Sequence, residues 1–219
     1  MSGLGGRMAA IGLASALALL PAASAQADTN LGDLGTNHDC GGDGYTEIQA
    51  STGAAPRYDV PADGVITSWR LLATAETNVV VRLKMFRPTA NPNQFTLIGQ
   101  SLDQGPLTPD VLNGPFPTSI PVKAGDLLGV FVVDGDGYGC LFDTATDGDV
   151  AREVNPDDSN VGDTVTTNST FTPARVNVAA TLGPPPAPTP VTHKKCKKKK
   201  HKRSAESAKK KCKKKKRRK

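Results

Sequence analysis

Residues 78–87, NVVVRLKMFR, constrain the fold more than any other stretch of the chain. In an extended backbone Val79, Val81, Leu83 and Met85 fall on one side, and Val80, Arg82, Lys84 and Phe86 on the other. A period of two belongs to a strand, because successive side chains point to opposite faces. Charges confined to one side predict a sheet with one buried and one wet face. The same reading extends along the chain. Residues 45–50 form a short strand. In 65–73 (VITSWRLLA), Thr67, Trp69 and Leu71 share one face and Ile66, Ser68 and Arg70 the other. Trp69 is the only tryptophan and is expected as a core anchor rather than a ligand platform. Residues 95–101 and 118–122 are further strands. The unbroken apolar run 127–133 (LLGVFVV) reads as a central strand, and 175–182 alternates again and should close the sheet. Residues 29–37 read as a loose start and 103–117 as a long loop rich in Pro and Gly. No helical stripe of apolar residues persists. Seven or so short strands predict an all-β chain: a single antiparallel β-sandwich.

The two ends of the chain cannot belong to that sandwich. Arg7, an apolar run over 8–20 and the small residues Ala23, Ser24, Ala25 and Ala27 form an export signal over 1–27. The apolar run is too short for a bilayer, which needs about 20 residues. The mature chain is expected to start near Gln26 or Asp28, with the sandwich over 28–183, and no later segment is long and apolar enough to span a membrane. A proline-rich spacer covers 184–192; its first prolines favour an extended helix at about 3.1 Å per residue. The tail, 193–219, holds eighteen basic residues and one acid, Glu206: Lys194, Lys195, Lys197, Lys198, Lys199, Lys200, Lys202, Arg203, Lys209, Lys210, Lys211, Lys213, Lys214, Lys215, Lys216, Arg217, Arg218 and Lys219. It has almost nothing apolar to bury and its like charges repel, so it is expected to be disordered in isolation. The body over 28–193 is the opposite, with twenty acids against eight Lys and Arg. The net charge of +6 conceals both halves.

Few residues suggest chemistry. An exported chain permits disulfides, and the simplest pairing of its four cysteines is Cys40 with Cys140, leaving Cys196 and Cys212 in the tail. Thiol zinc sites are disfavoured, since no CxxC is present and His38 is the one body histidine apart from the tail boundary. The stretch 134–149 alternates Asp with Gly, which suits a hard, oxygen-seeking cation. Asp134 and Asp136 are the candidate Ca2+ ligands, although Tyr138 and Ala145 break the spacing of a helix–loop–helix calcium loop. No other cofactor is indicated. No nucleophile elbow, zinc-protease motif or phosphate-cradling loop occurs, so no catalytic residue is assigned. A two-carboxylate hydrolase acting on an unknown substrate is the enzymatic alternative.

The segments VPADGVITSW at 60–69 and IPVKAGDLLGVFV at 120–132 resemble jelly-roll-like domains, in which a V-x-A-G-D turn precedes a buried strand. Most of the mature chain is similar to uncharacterised secreted β-sandwich proteins of high-GC soil actinobacteria, which often end in a Lys-rich tail containing Cys. The resemblance implies a jelly-roll-like fold and a secreted, extracellular location, and it implies no reaction; association with the cell envelope is the expectation drawn from the basic tail. For the tail, the expected partners are anionic cell-wall polymers or lipid head groups. Nucleic acid fits less well, because export removes the tail from it and the tail has no aromatic residue to stack on bases. Self-association of basic tails with acidic bodies is the third expectation. For the sandwich the choice is a surface or carbohydrate ligand against a purely structural role, and fold alone does not decide it.

Overall fold

The computed structural model describes residues 27–35, 42–73, 78–135 and 141–185. Residues 1–26 of the export signal, His38, Cys40, Asp136, Cys140, the spacer beyond Pro185 and every basic residue of the tail lie outside the described residues. The chain divides into two units, 1–186 and 187–219, and only the first contains described residues.

Among the described residues there is no helix, and none that could cross a membrane. Thirteen strands follow in order: β1 (Thr29–Asp33), β2 (Tyr45–Ser51), β3 (Gly64–Leu72), β4 (Val80–Pro88), β5 (Gln94–Gln100), β6 (Leu112–Val122), β7 (Leu127–Asp134), β8 (Leu141–Asp143), β9 (Val150–Val154), β10 (Thr164–Thr166), β11 (Ser169–Phe171), β12 (Ala174–Val176) and β13 (Val178–Gly183). One sheet runs β1-β13-β3-β6 and a second runs β10-β5-β4-β7-β2-β9-β11, with β8 and β12 paired beside them. All these pairings are antiparallel. With β1 to β7 and β13 taken as strands one to eight, the sheets read 1-8-3-6 and 2-7-4-5. That is the order of a jelly roll, two sheets wound from nested hairpins. Strands β8 to β12 are an insertion before the last jelly-roll strand.

The main core lies between the sheets. It includes Leu31, Ile66, Trp69, Leu71, Val81, Leu83, Met85, Val130 and Val132, each 1% exposed or less. Trp69 packs on Phe116 with ring centroids 5.0 Å apart, as expected of a core anchor. The run at 127–133 is central, as its unbroken apolarity predicts: β7 sits between β4 and β2.

The insertion changes the second sheet. Strand β10 lengthens one of its edges and β11 the other, yet only Thr167 and Asn168 separate them in sequence. Thr167 N donates to Asn93 O and Asn168 N to Glu153 O, both at 2.9 Å, fastening that link to strands at opposite edges. The sheet therefore curls into a half-barrel with a core of its own: Ile48, Phe86, Phe95, Leu97, Leu127, Val154 and Val165. This overturns the expected wet face of 78–87. Val79, Val81, Leu83 and Met85 face the main core as read from the alternation, but Lys84 and Phe86 are buried inside the curl.

Other expectations need correction. Ile66 is buried with Trp69 and Leu71 while Thr67 is exposed, because the register of β3 shifts against both neighbours near Thr67 and reverses the faces. The loop expected over 103–117 gives way to β6 at Leu112. Its prolines at 115, 117 and 121 are tolerated because β6 is an edge strand. Residues 29–33 form β1 on the strength of one buried side chain, Leu31, and pairing with β13. The segment 175–182 is split between β12 and β13, and β13 lies inside its sheet between β1 and β3 rather than closing an edge.

Candidate functional site

The two motifs that carry the family resemblance meet at one end of the sandwich, and their chemistry is structural. Gly125 N donates to Val60 O and Val60 N to Asp126 O, both at 2.8 Å. Asp126 is 1% exposed. Its carboxylate accepts from Lys123 N at 2.6 Å and from Arg87 through Nε (2.8 Å) and Nη2 (2.9 Å), while Asp63 Oδ1 accepts from Ala124 N at 3.0 Å. The acids of these turns are thus committed to holding the turns together.

The acidic stretch at 134–149 is dispersed by the fold. Asp134 ends β7 and is exposed, Asp143 ends β8, and Asp147 lies in the turn before β9. Asp149 is fully buried and accepts from Arg175 Nε (2.7 Å) and Nη2 (3.2 Å), Thr144 Oγ1 (2.7 Å) and Gly53 N (2.9 Å). Burial works to raise the pKa of Asp149, but these donors together hold it below the usual carboxylate range. With its lone pairs so occupied, Asp149 has none left for a cation. Among the described residues no three His, Cys, Asp or Glu side chains are grouped to hold a metal. Of the two candidate calcium ligands, Asp134 is described and Asp136 is not.

Sequence reasoning missed the most site-like feature, a recess at the open side of the half-barrel. It has a volume of about 420 Å³ and is lined by Val154, Pro156, Asp157, Asp158, Ser159, Asp163, Thr164, Val165 and Thr166. An ion pair lies at its floor: Lys84 Nζ stands 2.8 Å from Asp157 Oδ2, with the two side chains 2% and 0% exposed. Ser159 Oγ accepts from Lys84 at 3.2 Å, Ser159 N donates to Asp157 Oδ1 at 2.9 Å, and Thr46 Oγ1 donates to Asp157 Oδ2. The Lys84 ammonium lies 4.3 Å from the centre of the Phe131 ring, and the guanidinium of Arg82 lies 5.7 Å from the same centre. Burial again works to raise Asp157, but hydrogen bonds from Lys84, Ser159 and Thr46 hold it below the usual range, so it is ionised. The alternation at 80–87 placed Lys84 on a charged face. Only the strap of β10 and β11 turned that face inward.

On the opposite face of the same sheet a buried acid meets a half-buried one. Glu47 on β2 stands directly opposite Glu153 on β9. Glu47 is 1% exposed and its Oε2 has no hydrogen-bond partner. Burial, and then the neighbouring Glu153 carboxyl, push its pKa up to about 9, so it is a neutral acid at physiological pH. An acid of this kind is a general-acid signature in enzymes, but Glu47 is sealed in the core with no recess reaching it among the described pockets. Tyr45, Tyr58 and Phe86 are at most 1% exposed and offer no face for stacking on a sugar, and Tyr138 lies outside the described residues.

The body's cations are mostly neutralised in place. Arg57 pairs with Asp59, Arg82 with Asp103, Lys84 with Asp157, Arg87 with Asp126, and Arg175 with both Asp33 and Asp149. Five of the eight basic residues of 28–193 are thereby matched to particular acids, and exposed acids such as Asp43, Asp110 and Asp158 dominate what the surface presents.

Fold and site together define a jelly roll extended into a half-barrel with an acidic surface. Comparison with protein-family models, with curated proteins and with solved structures finds no match.

Proposed function

We propose that the chain is an exported, non-enzymatic β-sandwich held at the anionic cell envelope by its basic tail, where the half-barrel recess offers a site for a surface or carbohydrate ligand. The observation that carries this reading is the separation of charge. Eighteen cations follow a proline spacer, while the body holds five of its eight cations in ion pairs with particular acids. Each Lys near an anionic surface contributes about 1 kcal/mol, screened over roughly 8–10 Å at physiological salt. Even a small part of that sum gives salt-sensitive adsorption.

The resemblance to secreted actinobacterial sandwiches supports the location. Strand β1 begins at Thr29, so cleavage after Ala25 or Ala27 leaves the first strand intact. Non-enzymatic action is favoured by the commitments of the buried groups. Asp126, Asp149 and Asp157 are fully engaged, and Glu47 is sealed. Fractionation of cells expressing the full chain or a chain ending at residue 192 tests retention: the full chain is expected in the envelope fraction, released by high salt, and the truncated chain in the medium. Equal release of both refutes the reading. Self-association of tail with body is a second reading, favoured by the same acidic surface. It predicts a sedimentation coefficient that falls as salt rises, for purified protein with no envelope present.

A further inference from the structure

The outer face of the four-stranded sheet carries a second recess, of about 180 Å³, on the other sheet from the half-barrel. It follows from strand register. Ser68 lies opposite Thr181 across β3 and β13, and Thr181 opposite Asn30 across β13 and β1. These three alternate along their strands with the core residues Trp69, Ala180 and Leu31, so they form a row on the side away from the core. The next row on that side is Arg70, Ala179 and Gly32. Ala179 and Gly32 fill little space, which leaves a depression beside the Arg70 side chain, also lined by Pro115 of β6.

The chemistry of this recess differs from that of the rest of the body. Arg70 is exposed and has no acid partner among the described residues, unlike the five cations held in ion pairs. No carboxylate lines the recess, whereas Asp157, Asp158 and Asp163 line the half-barrel recess and Asp59 lines a further one beside Tyr58. A guanidinium presents its N–H groups as a planar fork that matches a carboxylate. A single fork on an acidic body leaves a phosphate dianion under-compensated, so a carboxylate fits better. The row of Ser68, Thr181 and Asn30 supplies hydroxyls and a carboxamide that both donate and accept, one strand spacing of about 4.8 Å apart. That is the scale of the hydroxyls around one sugar ring, and Pro115 and Ala179 offer apolar contact to its C–H groups. The volume is below that of sites for larger ligands and suits one such residue.

We propose that this recess binds a uronic acid residue, with the sugar carboxylate on Arg70 and the ring hydroxyls on Asn30, Ser68 and Thr181. The site goes beyond the half-barrel recess and does not depend on envelope retention, so its failure leaves that reading untouched.

Trp69 borders the recess and is the only tryptophan of the chain, so intrinsic fluorescence reports on the site directly. The full chain is titrated with methyl glucuronide and, as the neutral counterpart, methyl glucoside. The expected result is a saturable change with the glucuronide and binding at least about tenfold weaker for the glucoside and for Arg70→Met. Ser68→Ala keeps the guanidinium and should weaken binding less than Arg70→Met. The basic tail is the same in every variant, so ions bound there cancel in the comparison. Should Arg70→Met lower the melting temperature, Arg70→Lys keeps the charge without the fork and must also weaken binding. No saturable change with the glucuronide, equal affinity for the glucoside, or equal affinity in both Arg70 variants overturns the proposal. An acetylated dipeptide with a free C-terminal carboxylate that binds as tightly as the glucuronide assigns the recess to peptide ends and overturns the sugar.

Discussion

The two faces of the seven-stranded sheet bury opposite solutions to one problem. On the face toward the jelly-roll core, Glu47 and Glu153 meet with no cation between them, and Glu47 gives up its charge. On the face inside the half-barrel, Lys84 and Asp157 meet with two hydroxyls and a backbone N–H around them, and Asp157 keeps its charge. Burial penalises the ionised form of either carboxyl. What differs is the number of donors aimed at each, and that number decides whether a buried acid is an ion or a neutral group.

The contrast is broken most severely by removing one partner of the ion pair. Asp157→Ala leaves Lys84 buried without a counter-charge, and an uncompensated buried charge costs about 3–5 kcal/mol. A large drop in the urea midpoint is expected, whereas the paired change Lys84→Met with Asp157→Leu should lose less than either single variant. A single variant that unfolds like the parent would show that the pair carries no weight.

The carboxyl pair gives the next largest effect, read through pH. The folded-state pKa of Glu47, about 9, lies above its ordinary value of 4.5, so the folded protein holds a proton that the unfolded chain releases. Stability therefore falls as pH rises from about 4.5 to about 9, by at most about 1.4 kcal/mol per pH unit, and then levels off. Asp149 and Asp157 act with the opposite sign. Their folded pKa values lie below 3.8, so the stability they contribute is present above that value and is lost as pH falls further. The combined curve should peak near pH 4–5, and Glu47→Gln should flatten its alkaline side while raising the melting temperature at neutral pH. A variant with an unaltered alkaline slope would place the proton elsewhere.

Smaller effects sharpen the lesson. Arg87→Met removes two donors from buried Asp126 but leaves Lys123 N in place, and the Arg87 side chain is 42% exposed. A loss of about 1 kcal/mol is expected in chemical denaturation. Arg57 and Asp59 form a pair that is 49% and 38% exposed, and Arg57→Ala should shift the midpoint by no more than about 0.5 kcal/mol. A loss there as large as that at Arg87 would mean that burial does not rank these pairs.

Much of the architecture was legible in the sequence for local reasons. Alternation at 79–85 identifies a strand and its core face, the apolar run at 127–133 identifies a central strand, and VPADG and VKAGD mark turns whose acids satisfy backbone donors. Strands with little alternation were not legible. β1 offers one apolar side chain, and β8, β10, β11 and β12 have three residues each, so only pairing with distant partners makes them strands. The register shift at Thr67 also escaped, because a bulge reverses faces without a mark in composition.

The sequence by itself determined the all-β class and the charge opposition between body and tail, since periodicity and net charge are properties of neighbouring residues. Only the tertiary structure decided the fate of the charges within the body. Lys84 reads as a solvated residue on a wet face until two residues, Thr167 and Asn168, bring the edges of the sheet together around it. Nothing in the strand at 45–50 marks Glu47 until β9 sets Glu153 opposite it. The reason is physical: ionisation in the interior depends on which donors and charges lie within a few ångströms, and those come from residues remote in the chain.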